Sequence, residues 1–158
     1  PYPMNKIIFF LVLLSSFVQS QYSSIPIEIT ADKMEWNRDK DIAIAIGNAK
    51  ATQGNRIIFA NKIIANIAEK KDSGEIDTLH AIGNVKFVRD REEAYGKEAI
   101  YDLKKETIVI KGNVSLKKDG NIMVGEKLLI DFQSGISQIE GAKNKGKVKM
   151  KYNSPNKD

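Results

Sequence analysis

Apolar and polar residues alternate along most of the chain with a period of two. Leu128, Ile130 and Phe132 are each separated by a single residue, and so are Val85 and Phe87. This period places successive apolar side chains on one face of a β-strand, which a helix with its period of about 3.6 does not do. Turn-forming stretches separate the runs, so the pattern predicts an all-β chain of antiparallel strands joined by hairpins. These stretches lie at residues 37–41, 71–75, 104–106, 117–121 and 133–135.

A Gly-Asn pair between apolar residues recurs along the chain. It occurs as Gly47-Asn48, Gly83-Asn84 and Gly112-Asn113, with a degenerate fourth copy at Gly141. A second landmark is a small residue followed by polar and then alternating apolar residues, and it recurs at Ala31, Ala60, Gly96 and Gly125. The common spacing predicts four copies of a unit of 29 residues, the second of which carries a seven-residue insertion within 69–77.

The Gly-Asn pairs fall inside the predicted strands and not between them. A glycine in that position marks a bulge or sharp bend more often than a hairpin turn. We therefore predict strands that all bend at one place and curve around a single interior, as in a sandwich or jelly roll. Alternation places seventeen residues on the inner face, a pattern that by itself is typical of an ordinary packed core. They are Met34, Trp36, Ile63, Ala65, Ile67, Leu79, Val85, Phe87, Tyr101, Leu103, Ile108, Ile110, Val114, Leu116, Leu128, Ile130 and Phe132.

The first twenty residues have the pattern of a signal peptide. Lys6 gives a short positive region, an apolar run covers 7–14, and 18–20 provides the small residues that signal peptidase recognises. We expect cleavage after Ser20 and export, with residues 1–3 an unexplained extension. The alternative is an uncleaved membrane anchor, although the apolar run is shorter than the roughly 20 residues of a spanning helix.

The mature chain divides into a β-domain at 21–142 and a lysine-rich C-terminal strand or tail at 143–158. Residues 21–140 hold 18 basic and 19 acidic residues, so the net charge of +5 comes from the tail, which argues against a nucleic-acid surface. The tail has lysine at every second position. This favours a solvated end or a lysine-protected edge strand, and alternatively a strand that adds to a neighbouring sheet or a basic rim that meets acidic phosphates.

The sequence lacks the residues that most enzymes need. It has no cysteine, a single histidine at His80, and none of the common nucleophile, zinc or phosphate-loop motifs. The carboxylates at Glu92 and Glu93 lie beside Arg89 and Arg91, which is typical of a solvated loop. We predict a protein that is not an enzyme and that has no metal site and no cofactor.

Four stretches of the chain resemble the OstA-like domain family of lipopolysaccharide transport. They are residues 25–36, 47–64, 93–116 and 121–132, with the TQG at 52–54 and the ANK at 60–62 as the most telling pieces. The resemblance covers about residues 25–141. It implies an open, V-shaped antiparallel β-jelly roll whose apolar groove holds the acyl chains of lipid A. It also implies copies stacked head to tail, as a bridge between transport partners of the inner and outer membranes.

The resemblance implies that part of the inner face contacts lipid. Ile27, Ile29, Phe87, Tyr101 and Leu103 correspond to the interior of the family, and the phenol of Tyr101 would lie near the polar edge of the lipid. Strand alternation adds Met34, Trp36, Ile63, Leu116, Leu128, Ile130 and Phe132. The edges expected to join successive copies are 24–30 and 146–152. Two alternatives are a membrane-tethered partner of the same bridge and a closed-core structural or adaptor domain that binds no lipid.

Overall fold

The computed structural model describes residues 25–67, 75–144 and 146–153. The predicted signal peptide and most of the predicted insertion lie outside the described residues. No helix in the described part of the chain is long and apolar enough to cross a membrane. The described residues form ten strands: β1 Glu28–Thr30, β2 Lys33–Asn37, β3 Ile42–Gln53, β4 Arg56–Ile67, β5 Ile76–Arg89, β6 Glu92–Asp102, β7 Thr107–Lys118, β8 Asn121–Asp131, β9 Ser137–Glu140 and β10 Lys149–Lys151.

All ten strands belong to one antiparallel sheet. The six long strands β3 to β8 form a meander in which each strand pairs with the next along the chain. At one side β1 and β2 pair with different halves of β3, and at the other side β10 and β9 pair with different halves of β8. No pairing joins the two sides among the described strands, so the sheet is not closed. The predicted all-β, antiparallel fold is confirmed.

A break in the pairing register runs across the long strands at the Gly-Asn pairs. Between β3 and β4 the partners are Ile46 with Lys62 and then Ala49 with Ala60, so that Gly47 and Asn48 oppose the single residue Asn61. The same two-against-one arrangement recurs between β5 and β6 and between β7 and β8. Both residues of each pair have positive φ, 82° to 89° for glycine and 44° to 47° for asparagine, the two residue types that adopt this conformation most readily.

The strands fold back on themselves at this line of bulges. Register connects Arg56 through Arg89 to Glu92 at the start of β6, and Tyr101 lies nine residues further along β6. In a straight strand that separation would be roughly 30 Å, at about 3.3 Å per residue. Yet Arg56 Nη1 donates a hydrogen bond of 2.8 Å to Tyr101 Oη. Each long strand therefore contributes one half to each of two facing layers.

We call these layers the first and the second. The first layer contains β1, β10 and the strand halves that meet at the β3–β4, β5–β6 and β7–β8 hairpins. The second layer contains β2, β9 and the other halves of the long strands. The layers are continuous through the bulge line. Their free rims, where the hairpins lie, face each other at what we call the mouth.

The predicted inner face is largely buried between the layers. Of the seventeen residues, twelve are at most 6% exposed, namely Ile63, Ala65, Leu79, Val85, Phe87, Tyr101, Ile108, Ile110, Val114, Leu116, Leu128 and Ile130. Ile67, Leu103 and Phe132 are partly buried. Met34 and Trp36 were expected inside but are 53% and 66% exposed, because β2 lies at the edge of the sheet and the described residues of the facing layer do not cover it.

The two ends of the predicted repeat depart from the regular pattern. Gly141 follows β9 and does not have positive φ, so the fourth copy lacks the bulge conformation of the other three. The lysine-rich tail supplies β10, whose residues Lys149, Met150 and Lys151 pair with β8 of the same chain. In this structure the tail is thus an edge strand of its own sheet.

Replacing Gly112 with valine is expected to destabilise the fold. Gly112 has φ of 89°, and a Cβ built there would lie 2.9 Å from the Cβ of Lys97 on the adjacent strand. A β-branched residue in this conformation costs about 1–3 kcal/mol in backbone strain alone, and the clash adds to it. Urea unfolding measures the loss. Gly120→Val is the control, because Gly120 has φ of 80° with nothing within 4 Å of the added Cβ. If Gly112→Val and Gly120→Val lowered the free energy of unfolding equally, the steric crowding that we assign to the bulge at Gly112 would be contradicted.

Candidate functional site

The inner face of the two layers is the largest apolar surface of the fold. It extends over the six long strands and is lined by small and branched aliphatic side chains. Eight of the twenty buried apolar residues are alanines, at 45, 49, 51, 60, 65, 81, 94 and 99. The larger side chains of Phe87, Ile108 and Leu128 pack among these alanines and are fully buried.

The predicted lipid contacts fall into three groups by exposure. Six are buried, namely Ile63, Phe87, Tyr101, Leu116, Leu128 and Ile130. Four are partly buried and pack against them, namely Ile27, Ile29, Leu103 and Phe132. Met34 and Trp36 are exposed. The structure thus brings ten of the twelve residues together in one interior, where they contact one another.

Met34 and Trp36 nevertheless face the same side as the interior. Met34 pairs directly with the buried Ala45, and Trp36 pairs with Ala43. Residues directly opposite each other in an antiparallel pair lie on the same face of the sheet. Met150 in β10 repeats this arrangement at the other side, since it is 63% exposed and pairs with Met123, which packs against the core. The apolar inner face therefore continues past the core to both edges.

A polar cluster that the sequence analysis did not predict lies at the mouth. Arg56 is 6% exposed and Gln53 is 7% exposed, and they flank the β3–β4 turn on the inner face of the first layer. Tyr101 Oη, on the second layer, accepts a hydrogen bond from Arg56 Nη1 at 2.8 Å and donates one to Gln53 Oε1 at 2.6 Å. Glu106 Oε1 lies 3.9 Å from Arg56 Nη1. The phenol of Tyr101 is thus engaged by protein groups across the mouth.

Phe132 forms the centre of this cluster. The guanidinium carbon of Arg56 lies 3.8 Å from the Phe132 ring centroid, and that of Arg89 lies 5.1 Å away. The ring also contacts Phe87 and Tyr101, at centroid distances of 5.8 Å and 5.9 Å. Cation–π stacking and ring packing combine here, so aromatic rings and guanidinium groups cover the aliphatic interior around Phe132.

The outer face of the first layer has a different chemistry. Tyr95 Oη donates a hydrogen bond of 2.7 Å to Glu93 Oε2, which raises the pKa of Tyr95 and lowers that of Glu93. Lys86 and Lys117 lie over the Tyr95 ring at 5.7 Å and 5.3 Å. These groups are partly or fully exposed, as expected for the solvated face of a half-buried sheet.

The described residues offer no cluster of three or more metal-ligating side chains. His80 lies on the outer side of the second layer, where its Nε2 is 2.5 Å from Glu98 Oε1. The pair is partly exposed and lies away from the apolar interior. The arrangement that the described residues do form is a packed apolar interior with a polar rim at the mouth.

Comparison with known proteins identifies the family. A sequence model described as LptA/(LptD N-terminal domain) LPS transport protein matches residues 28–136, which is most of the described chain. The chain belongs to this family. The matched region runs from the start of β1 to the β8–β9 turn and therefore contains the whole bulge line and every strand of the two layers except β9 and β10. Membership of this LPS transport family confirms the resemblance found in the sequence.

Individual relatives agree with the family assignment. The chain is 26% identical over 139 residues to the lipopolysaccharide export system protein LptA of Haemophilus influenzae, covering 82% of this chain and 80% of that protein. It is 24% identical over 118 residues to the lipopolysaccharide export system protein LptH of Pseudomonas aeruginosa, covering 70% and 66%. It is also 27% identical over 133 residues to an uncharacterized protein of Rhizobium meliloti, covering 79% and 70%.

The fold is shared with a solved structure. The crystal structure of LptH from Pseudomonas aeruginosa, described as the LptA homologous periplasmic component of the lipopolysaccharide transport device, superimposes with a TM-score of 0.75. The match covers 85% of this chain and 99% of that chain at 18% sequence identity. The two proteins therefore share their architecture over nearly the whole of LptH.

Truncation of two aromatic residues on the same face should have very different effects on stability. Phe87 is 0% exposed, so Phe87→Ala is expected to cost about 3–5 kcal/mol of unfolding free energy through the cavity it leaves. Trp36 is 66% exposed, so Trp36→Ala should cost only about 0.5 kcal/mol. Urea denaturation of the two variants tests this difference. Similar losses would mean that Trp36 is packed in solution.

Proposed function

We propose that the protein is a periplasmic lipopolysaccharide carrier that shields the acyl chains of lipid A between its two layers. The observation that carries this proposal is the continuous apolar inner face, which reaches exposed residues at both edges of an unclosed sheet. Membership of the LPS transport family gives the ligand class. Relatives named as lipopolysaccharide export proteins, and a periplasmic homologue of the same fold, support the location.

Burial of acyl chains supplies the binding energy in this proposal. Each methylene group moved from water into an apolar site is worth about 0.8 kcal/mol, so a twelve-carbon chain gains on the order of 10 kcal/mol when fully enclosed. The inner residues contact one another in this structure, so the layers must move apart for chains to reach them. The bulge line is the natural hinge, because the long strands are continuous there, while the contacts described across the mouth are between side chains.

The exposed edges support head-to-tail assembly as the way in which the carrier bridges two membranes. Among the described strands, β1 and β10 each pair on only one side, so their outer backbone groups are where a strand of another copy would add. Trp36, Met34 and Met150 then continue the apolar face towards that copy. Transport partners anchored in the inner and outer membranes would bind at the two ends of such an assembly by the same strand addition.

One observation favours a second candidate, the closed-core adaptor that binds no lipid. The inner face is packed to exposures of a few per cent or less, as in an ordinary core. A carrier and an adaptor differ in whether the layers separate. An apolar fluorescent dye reports this difference, because only a carrier should take up the dye and release it when lipid A is added.

Photo-crosslinking tests the carrier directly. A benzophenone side chain at position 101, in the exported protein of a lipopolysaccharide-making cell, is expected to give lipopolysaccharide adducts, because Tyr101 is 3% exposed on the inner face. The matched control is position 100, which is next in the same strand and 43% exposed on the outer face. Adducts at neither position, in a folded periplasmic protein, would favour the adaptor.

Assembly is tested by placing a charge on the exposed part of the inner face. Trp36→Glu is expected to weaken self-association by about tenfold or more, because a carboxylate would be buried against the next copy. The fold should be kept, since Trp36 is already exposed. Sedimentation velocity over a range of concentrations measures the effect. Ile100→Glu on the outer face is the control, and equal behaviour of the two variants would argue against an interface at the β2 edge.

A further inference from the structure

Arg56 is a charged residue at the mouth that is only 6% exposed, and it borders the apolar interior. A buried guanidinium is stable only when its charge is paired and its donors are engaged. Three contacts from the second layer contribute to both needs, namely Tyr101 by a hydrogen bond of 2.8 Å, Glu106 at 3.9 Å and the Phe132 ring at 3.8 Å. Arg56 itself belongs to the first layer. The cluster therefore ties the two rims of the mouth together.

Separation of the layers would break these contacts. Tyr101, Glu106 and Phe132 would move away as a group, because Phe132 N donates a hydrogen bond of 3.0 Å to Glu106 O and Tyr101 packs on the Phe132 ring. Arg56 would then lose these three contacts at the boundary between acyl chains and water. A polar ligand group placed there would offset this loss, and an apolar group would not.

An anionic group at the head of the acyl chains is the replacement that the geometry favours. A guanidinium donates two parallel hydrogen bonds to a phosphate or carboxylate, which is its strongest mode of pairing. With the chains between the layers, the head of an amphiphile lies at the mouth, where Arg56 is. Arg89 and Lys118 add positive charge nearby, although Glu92 lies 3.5 Å from Arg89 and 4.0 Å from Lys118 and offsets part of it.

We propose that Arg56 is a latch and a selectivity residue, which exchanges its contacts with Tyr101, Glu106 and Phe132 for the anionic head of an acyl-chain ligand. This inference rests on the proposed carrier function and adds a polar recognition site to it. It predicts a preference for anionic amphiphiles over neutral ones of the same chain length. It also predicts that free phosphate does not bind, because the latch opens only when chains part the layers.

Displacement of an apolar dye by dodecyl phosphate and by monolaurin tests the preference. Both probes have a twelve-carbon chain, and only the first is anionic. The wild-type protein is expected to prefer dodecyl phosphate by about tenfold or more, and Arg56→Gln is expected to lose that preference while still binding monolaurin. Arg91→Gln is the matched control, because it removes the same charge from a side chain at the mouth that is 86% exposed. Inorganic phosphate should displace no dye from any variant.

Each result decides between the alternatives. The role of Arg56 would be overturned if Arg56→Gln lowered the affinities for dodecyl phosphate and monolaurin equally. It would also be overturned if the variant kept the wild-type preference for dodecyl phosphate. Displacement by inorganic phosphate would indicate a simple anion site and would overturn the latch. Failure of both amphiphiles to bind the wild-type protein would instead reject the carrier function on which the inference rests.

A second variant keeps the latch testable if Arg56→Gln does not fold. Tyr101→Phe removes only the hydroxyl that joins Arg56 to Gln53 and keeps the ring in place. It should bind dodecyl phosphate several-fold more tightly, because fewer contacts are broken when the layers part. Spin labels at Asn55→Cys and Lys105→Cys, both exposed at the rims, should move apart when dodecyl phosphate is added to the otherwise wild-type protein. Unchanged affinity together with an unchanged distance would overturn the latch.

Discussion

The two-against-one register at the Gly-Asn pairs is the constraint on which the rest of the molecule depends. A long antiparallel sheet of uniform register would be a twisted ribbon with one face open to water. The extra residue on alternate strands bends every strand at the same level, and hydrogen bonding across the sheet keeps these bends aligned. The bend turns one apolar face into two facing layers. It therefore creates the core and the candidate binding site together.

The same interior serves as core and as proposed site, which sets a limit on its packing. A core is most stable when its side chains interlock. In a carrier, by contrast, the free energy needed to separate the two layers must be small enough for binding of acyl chains to supply it. The structure combines both needs by concentrating the polar contacts at the mouth. Gln53, Arg56 and Tyr101 join the rims through a few side-chain contacts. The aliphatic contacts behind them are non-directional, so acyl chains between the layers would make contacts of the same kind.

Local sequence patterns predicted the features of the fold that depend on the backbone geometry of neighbouring residues. The Gly-Asn pairs predicted the bends, and the period of two predicted the inward positions, because both follow from backbone geometry. The exposure of Met34 and Trp36 could not be predicted, since it depends on the absence of a covering strand at the sheet edge. Arg56 was missed because charged residues beside turns are usually solvated. Its alternation with Ile58 and Ala60 was the available signal, as all three have the same strand parity.

The alanine-rich and aliphatic lining also determines how a guest would travel along the interior. Hydrogen bonds to the lining would hold a bound molecule at separate positions, and each would have to be broken before the molecule could move on. The attraction between an acyl chain and a hydrocarbon surface depends instead on the contact area, and its free energy changes little with position. Apart from the cluster at the mouth, the buried lining between β3 and β8 is hydrocarbon. A chain lying on such a lining experiences a nearly level energy profile. In the proposed carrier, this lining would keep an acyl chain out of water while presenting only a small barrier to its movement along the interior.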